Sequence, residues 1–395
     1  MKLVTCELRE GSSPKRFLGA LLSDDVLVDL DAAQSTMATS GKTAVPFPGE
    51  MLAFLAAGEA ALTAARAALD HARSVVDGSA VEKARAPDGR RLAWRRQEVR
   101  LLGAVPRPGK ILHTSVNFRS HKEEVAKSFR APEWQAHNWG SFHYEHPTGF
   151  LQAPSSVIGT DAEVVIPRFT KQLDYELELG VVIGKRGKYV SKEEALDHVA
   201  GYCVFNDISA RDIQAREHAN KVILLGKSFD TSCPLGPWLT TKDEVGDPQN
   251  LKMQLRLNGE LRQDANTSDM IYGVRELVSW WSNITLEPGD VITSGAPAGG
   301  SSRDRRHPFG SSRATALKQA SKSSGRLSAR SPPNRQADVL RTFRVKPRSR
   351  LRRFRGVSAA RQGAPYGTFP RHCRSSGILL LARCSPRPGS RHART

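Results

Sequence analysis

Apolar and polar positions alternate with a period of two over many short stretches of this chain, and strands are the elements that this period predicts. Arg16 to Leu22 and Val26 to Leu30 read as a hairpin around Ser23-Asp24-Asp25. Val164 to Pro167, Gly201 to Phe205 and Met253 to Leu257 are further short runs bounded by turn residues. The last ends at Asn258-Gly259, a dipeptide that accepts positive φ at both positions and so closes a two-residue hairpin. Helical spacing is rarer, covering an Ala-rich segment from Met51 to about Val75, Lys192 to His198, and Met270 to Trp281. Pro106-Arg107-Pro108-Gly109 is a turn-rich joint. It divides a small N-terminal α+β domain, 1–105, from a main domain, 106–300. The class is α+β and mainly β, not a doubly wound α/β sheet.

One run departs from ordinary alternation. In Leu173-Asp174-Tyr175-Glu176-Leu177-Glu178-Leu179-Gly180-Val181, a strand would point Asp174, Glu176 and Glu178 to one side and Leu177, Leu179 and Val181 to the other. Carboxylates stacked on one face repel by roughly 4 kcal/mol per close pair near a surface. A hard divalent cation would offset that repulsion. The bland alternative is an acidic solvent face on an edge strand. Asp207 ends the next predicted strand, about one helical crossover later, and would join Glu176 and Glu178 if the two strands are neighbours. Three carboxylates with waters suit Mg²⁺ or Mn²⁺.

Composition changes the picture once it is located along the chain. The net charge of +19 suggests a nucleic-acid partner. However, residues 301–395 hold 24 of the 59 Lys and Arg and only two of the 40 acids, leaving 35 basic and 38 acidic residues before them. The tail lacks glutamate, is rich in Arg, Ser, Pro and Gly, and shows no sustained period. A genuine tail of this kind would be a disordered basic arm for RNA or an acidic partner. The same residues are also what GC-rich codons yield out of frame, and a frameshift-derived, unfolded C-terminus is the expectation. No run approaches the roughly 18 apolar residues of a membrane span. The N-terminus has no signal-peptide pattern, and five scattered cysteines point to a reducing cytoplasm.

Four motifs occur in one order: Asp174-Tyr175-Glu176-Leu177-Glu178-Leu179, Phe205-Asn206-Asp207 through Gln214, Gly226-Lys227-Ser228-Phe229-Asp230, and Thr293-Ser294-Gly295-Ala296-Pro297-Ala298-Gly299. Together they resemble the fumarylacetoacetate hydrolase family over roughly 110–300. The resemblance implies a β-roll catalytic domain that pairs as a homodimer. It also implies a metal held by Glu176, Glu178 and Asp207, and a 2-oxo or β-diketo acid chelating that ion. It further implies that His121 and Glu124, i and i+3 on a helix, activate a water as general base. The bland alternative for that pair is a solvated helix start. Lys227 would stabilise oxyanion charge. Arg211 and Gln214 would face the substrate, with Arg211 equally able to pair with Asp212 or Asp230. Thr293 would hydrogen-bond a substrate carboxylate, and Trp134, Trp139 and Phe142 would belong to a lid.

The activity so implied is metal-dependent C–C bond hydrolysis of an acylpyruvate-like or β-diketo acid. Decarboxylation, isomerisation or dehydration of a 2-oxo acid can use the same enolate, and an inactive truncated relative or a basic-tail nucleic-acid binder is the rival. Two departures from the family pattern stand out. Gln152 occupies a position where lysine is common, and nothing after Gly299 reads as the further strands that help close the roll.

Overall fold

The computed structural model describes residues 1–9, 15–39, 48–128 and 145–300, together with the backbone of two strands, 323–329 and 341–346. Met1 to Arg348 form one compact unit, and the second unit, Ser349 to Thr395, lies outside the described residues, as does the proposed lid at 129–144.

Ten strands follow one path through the main sheet. In spatial order they are β4 (Ala93–Arg95), β3 (Val26–Asp29), β2 (Arg16–Leu21), β1 (Lys2–Leu8), β14 (Cys233–Thr241), β12 (Val199–Asn206), β11 (Leu177–Ile183), β17 (Val291–Thr293), β6 (Ile111–Thr114) and β7 (Gly149–Gln152). β5 (Val99–Leu101) joins β1 and β8 (Val157–Ile158) joins β14. Residues before and after the Pro106–Gly109 joint thus contribute to one continuous sheet through the β1–β14 pairing. The Ala-rich segment forms two helices, Met51–Ala56 and Gly58–Val75, whose apolar sides join the first core cluster.

The acidic segment is shorter as a strand than its pattern suggests. Leu173–Asp174 form β10, which pairs with β13 (Ser209–Ala210), and the chain breaks at Tyr175 and Glu176 before β11 begins. β11 is central, antiparallel to both β12 and β17, and every residue in it is buried, so the solvent-face alternative fails. β12 is indeed its neighbour. The link between them is not the expected helical crossover, and Lys192 to His198 contributes only a 3-10 turn at Ala195–His198. Antiparallel strands need no helix to reverse direction.

The faces of β11 divide as alternation requires. Leu177, Leu179, Val181 and Ile183 enter the second core cluster with Leu251, Met253, Leu255 and Leu257 of β15 (Leu251–Leu257). Each such fully buried side chain contributes about 1.5–3 kcal/mol. Val182 on the other face joins the first cluster with Ile111, Cys203, Phe205 and Val291. β15 turns at Asn258 (φ 54°) and Gly259 (φ 89°) into β16 (Glu260–Asn266), the hairpin that the dipeptide predicts.

The smaller sheet corrects one expectation. Its order is β16, β15, β18 (Ser323–Ala329), β19 (Arg341–Lys346) and β9 (Glu163–Val165). β18 pairs along the whole of β15, and β19 bridges it to β9. Strands do therefore follow Gly299, and they link β15 to β9 in this sheet. The Arg-rich composition hid them because ladder hydrogen bonds use backbone groups that every non-proline residue carries.

Candidate active site

The site lies at one end of the first core cluster, on four adjacent strands. Residues two apart on a strand share a face, so Glu178 follows Val182, Thr293 follows Val291 and His113 follows Ile111 onto that face. Asp207 comes directly after β12, and its N–H donates to Glu176 O at 2.8 Å. The side chains of Glu178, Asp207 and His113 bring ligand-type atoms within 4.8 Å of one another, and all three residues are buried.

Lys227 links the third acid to this group. Its Nζ donates to Glu176 Oε2 and to Asp207 Oδ2, both at 2.5 Å, and only 3% of the side chain is exposed. Burial works against the ammonium charge, but Asp207 and Glu176 outweigh it and raise the pKa. Burial would likewise lift Glu176, yet Arg211 and Lys227 hold its carboxyl well below the usual range. Glu178 forms no ion pair among the described residues, and Lys227 acts on it only weakly. Burial first and Asp207 second push it well above that range, even though Gly295 N donates to Glu178 Oε2 at 3.0 Å. That N–H is presented by a turn in which Gly295 has φ 79° and a Cβ would meet Thr114 O at 2.8 Å, so glycine is required.

Arg211 begins the helix Arg211–Ala219 and points back to the acids. Its Nη2 lies 2.6 Å from Asp174 Oδ2 and 2.5 Å from Glu176 Oε1, while Nη1 donates to Gln214 Oε1 at 2.7 Å. The partners are therefore Asp174 and Glu176, not Asp212, which binds Thr170 Oγ1 and Lys171 N, and not Asp230. Asp174 is a fully buried partner of Arg211.

His121 and Glu124 ride on the helix Arg119–Ser128, with His121 Nδ1 3.3 Å from Glu124 Oε2. Glu124 Oε2 also accepts from Gly299 N at 3.2 Å. A carboxylate only accepts, so Nδ1 carries the proton and Nε2 offers its lone pair. Asn117 ties the start of this helix to the Ser294–Gly295 turn by donating to Ser294 O at 2.9 Å. His121 is near enough to Glu176 to add to the lowering of that carboxyl's pKa.

Two residues escaped the sequence reading or stood in it only as an oddity. His113 lies on a four-residue buried strand, with no motif to announce it. Its ring stacks on Phe150 at 4.5 Å and meets Phe205 edge-on at 5.1 Å, and burial lowers its pKa. Gln152 Oε1 lies 2.7 Å from His113 Nε2, and Gln152 Nε2 donates to Lys227 O at 2.5 Å and Ser232 Oγ at 3.2 Å. The position where lysine is common thus braces both His113 and the Lys227 loop. Thr293 is fully buried, with Oγ1 3.2 Å from His113 Nδ1.

A divalent ion fits this group. Among the described residues, Arg211 meets Asp174 and Glu176, and Lys227 meets Glu176 and Asp207, at contact distance. Asp207 Oδ1 is buried and has no hydrogen-bond partner among the described residues. Buried polar atoms are normally satisfied, and an ion would complete this one.

The family described as fumarylacetoacetate (FAA) hydrolase, C-terminal, matches residues 110–323. The chain belongs to the fumarylacetoacetate hydrolase family. Among fumarylacetoacetate hydrolase relatives, an oxaloacetate tautomerase of Bacillus subtilis is 36% identical over 304 residues, 76% of this chain and 89% of the relative. A mitochondrial oxaloacetate tautomerase of Bos taurus is 38% identical over 274 residues, 69% of this chain and 74% of the relative. The fumarylacetoacetate hydrolase of psychrophilic Exiguobacterium antarcticum superposes with a TM-score of 0.57 at 25% identity, covering 88% of this chain and 100% of that one. A Sphingobium maleylpyruvate hydrolase, solved with manganese(II) and pyruvate, shares the fold at 24% identity and TM-score 0.57, over 88% of this chain and 99% of that one. The chain is thus similar to oxaloacetate tautomerases and to a fumarylacetoacetate hydrolase.

Proposed function

We propose that the chain enolises a 2-oxo diacid, and that its main reaction is keto–enol tautomerisation of an oxaloacetate-type substrate. The observation that carries this reading is the Lys227 ammonium, kept charged between Glu176 and Asp207 in a buried site. The Bacillus subtilis and Bos taurus relatives, 36% and 38% identical, support it, being named oxaloacetate tautomerases.

Glu176, Glu178 and Asp207 would hold Mn²⁺ or Mg²⁺, which when bound polarises the 2-oxo group and lowers the cost of an enolate. His121 Nε2 removes a proton from the carbon next to the carbonyl, and Glu124 holds the imidazole in the required tautomer. Lys227 donates to the oxygen on which charge develops. The proton gained by His121 and the one given by Lys227 then re-equilibrate with water. Arg211, with Gln214 bracing its guanidinium, and Thr293 serve the substrate carboxylates.

C–C bond hydrolysis of an acylpyruvate is the second reading, favoured by the His121–Glu124 pair, which suits activation of a water equally well. The purified chain with Mn²⁺, given oxaloacetate and then an acylpyruvate, separates the two. Faster decay of the enol absorbance without pyruvate release supports tautomerisation. Stoichiometric pyruvate from the acylpyruvate alone would replace that reading with hydrolysis. We place the enzyme in a reducing compartment, the cytoplasm, in keeping with the free, buried Cys6, Cys203 and Cys233. Its working form in this reading is a homodimer, for which sedimentation velocity at twice the protomer mass is the check. Among the described residues no helix is long and apolar enough to cross a membrane.

A further inference from the structure

We propose that His113 Nδ1 is a nitrogen ligand of the metal centre, held in that role by Gln152. This inference rests on the metal reading above and adds a donor of a different chemical kind.

The far side of Gln152 sets which way its amide faces. Lys227 O can only accept, and it lies 2.5 Å from Gln152 Nε2, so the amide NH₂ faces it. The amide oxygen is thereby turned to His113, 2.7 Å from Nε2. An amide oxygen also only accepts, so His113 Nε2 carries the proton and Nδ1 is left with a lone pair. Phe150 stacked on one face and Phe205 at the edge fix the ring plane.

That lone pair points into a crowd of acceptors. Nδ1 is 3.7 Å from Asp207 Oδ2 and 3.2 Å from Thr293 Oγ1. Thr293 has one hydroxyl proton to share between Nδ1 and the carboxylate of Glu178, to which it also hydrogen-bonds. Asp207 Oδ1 has no partner among the described residues, and the residue is 1% exposed. His113, Glu178 and Asp207 each bring a ligand-type atom within 4.8 Å of the others. A cation completes such a set. An imidazole among carboxylates shifts preference away from Mg²⁺, which favours oxygen, toward first-row transition ions, for which Mn²⁺ is the paramagnetic probe. The carbonyl oxygen behind the imidazole is the usual means of orienting a histidine ligand.

The test is pulsed electron paramagnetic resonance of the full chain loaded with one equivalent of Mn²⁺. Wild-type protein should show nuclear modulation from a directly bound ¹⁴N, replaced by the ¹⁵N pattern when histidine is ¹⁵N-labelled. His113→Asn should lose that modulation while still binding Mn²⁺. Gln152→Leu keeps the ligand but loses its brace, so it should keep a nitrogen signal with Mn²⁺ bound about 10–100-fold more weakly. Mn²⁺ bound at one per chain with only water and carboxylate couplings would overturn the role of His113 and leave the metal reading standing. A nitrogen signal that survives His113→Asn would overturn it too, by assigning another ligand. If no Mn²⁺ binds at all, both readings fall. Should His113→Asn not fold, the wild-type and Gln152→Leu spectra still decide the question.

Discussion

Lys227 Nζ lies 2.5 Å from Asp207 Oδ2, while the other oxygen of that carboxylate has no partner among the described residues. Asp207 is thus satisfied on one side by Lys227, and on the other it would meet the proposed cation. Lys227→Met would remove the charge that also holds Glu176. The expected result is a fall of about 10²–10³ in kcat with Mn²⁺ still bound. Ion-free protein should lose about 3–5 kcal/mol, read from urea unfolding, because buried Asp207 loses its cation and Glu176 keeps only Arg211. An unchanged kcat would remove Lys227 from the chemistry.

The His121–Glu124 pair is expected to matter for turnover and not for ion binding. His121→Ala should lower kcat by about 10²–10⁴ and leave Mn²⁺ stoichiometry, measured by calorimetry, at one per chain. Full activity in that variant with the ion bound would end the general-base assignment.

Arg211 is expected to support both stability and substrate binding. Asp174 is fully buried against it, and Glu176 shares the same guanidinium. Arg211→Leu should cost about 3–5 kcal/mol in chemical denaturation and raise KM. A variant as stable as wild type would show that neither acid depends on this cation.

Glu178 gives the pH dependence its sign. Burial and Asp207 hold its folded pKa above the ordinary 4.5, so the folded state keeps a proton that the unfolded chain has released. The contribution of this group to ion-free stability therefore declines as pH rises from 4.5 toward the folded pKa. An ion must displace that proton, so Mn²⁺ affinity should rise with pH in the same window, by up to about tenfold per unit. Calorimetry in buffers of different ionisation heat should register the released proton. Affinity that stays flat with pH would mean that Glu178 is no ligand. At 100 times its dissociation constant the ion should stabilise the fold by about 2.7 kcal/mol, and a chelator should reverse the shift in Tm.

What was legible from the residues alone followed from local rules. Alternation put Leu177, Leu179 and Val181 on one side of β11 and Glu178 on the other, and Asn258-Gly259 placed its hairpin by backbone conformation. The order of four motifs identified the family. The Lys192 to His198 helix shrank to a 3-10 turn and Arg211 found other partners, because packing and long-range pairing decide such details.

The sequence by itself therefore determined the family, the mainly β class and the candidate acids, since these depend on residue type and period along the chain. Only the tertiary structure decided what surrounds the acids. β6 reaches the site by lying next to β17, which brings His113 beside Thr293 across 180 residues of chain. Gln152 reads as a lost charge in sequence and serves as a brace in the fold. The two late strands escaped notice for the same reason, since their place is set by backbone pairing with β15 and β9 and leaves little mark on side-chain pattern.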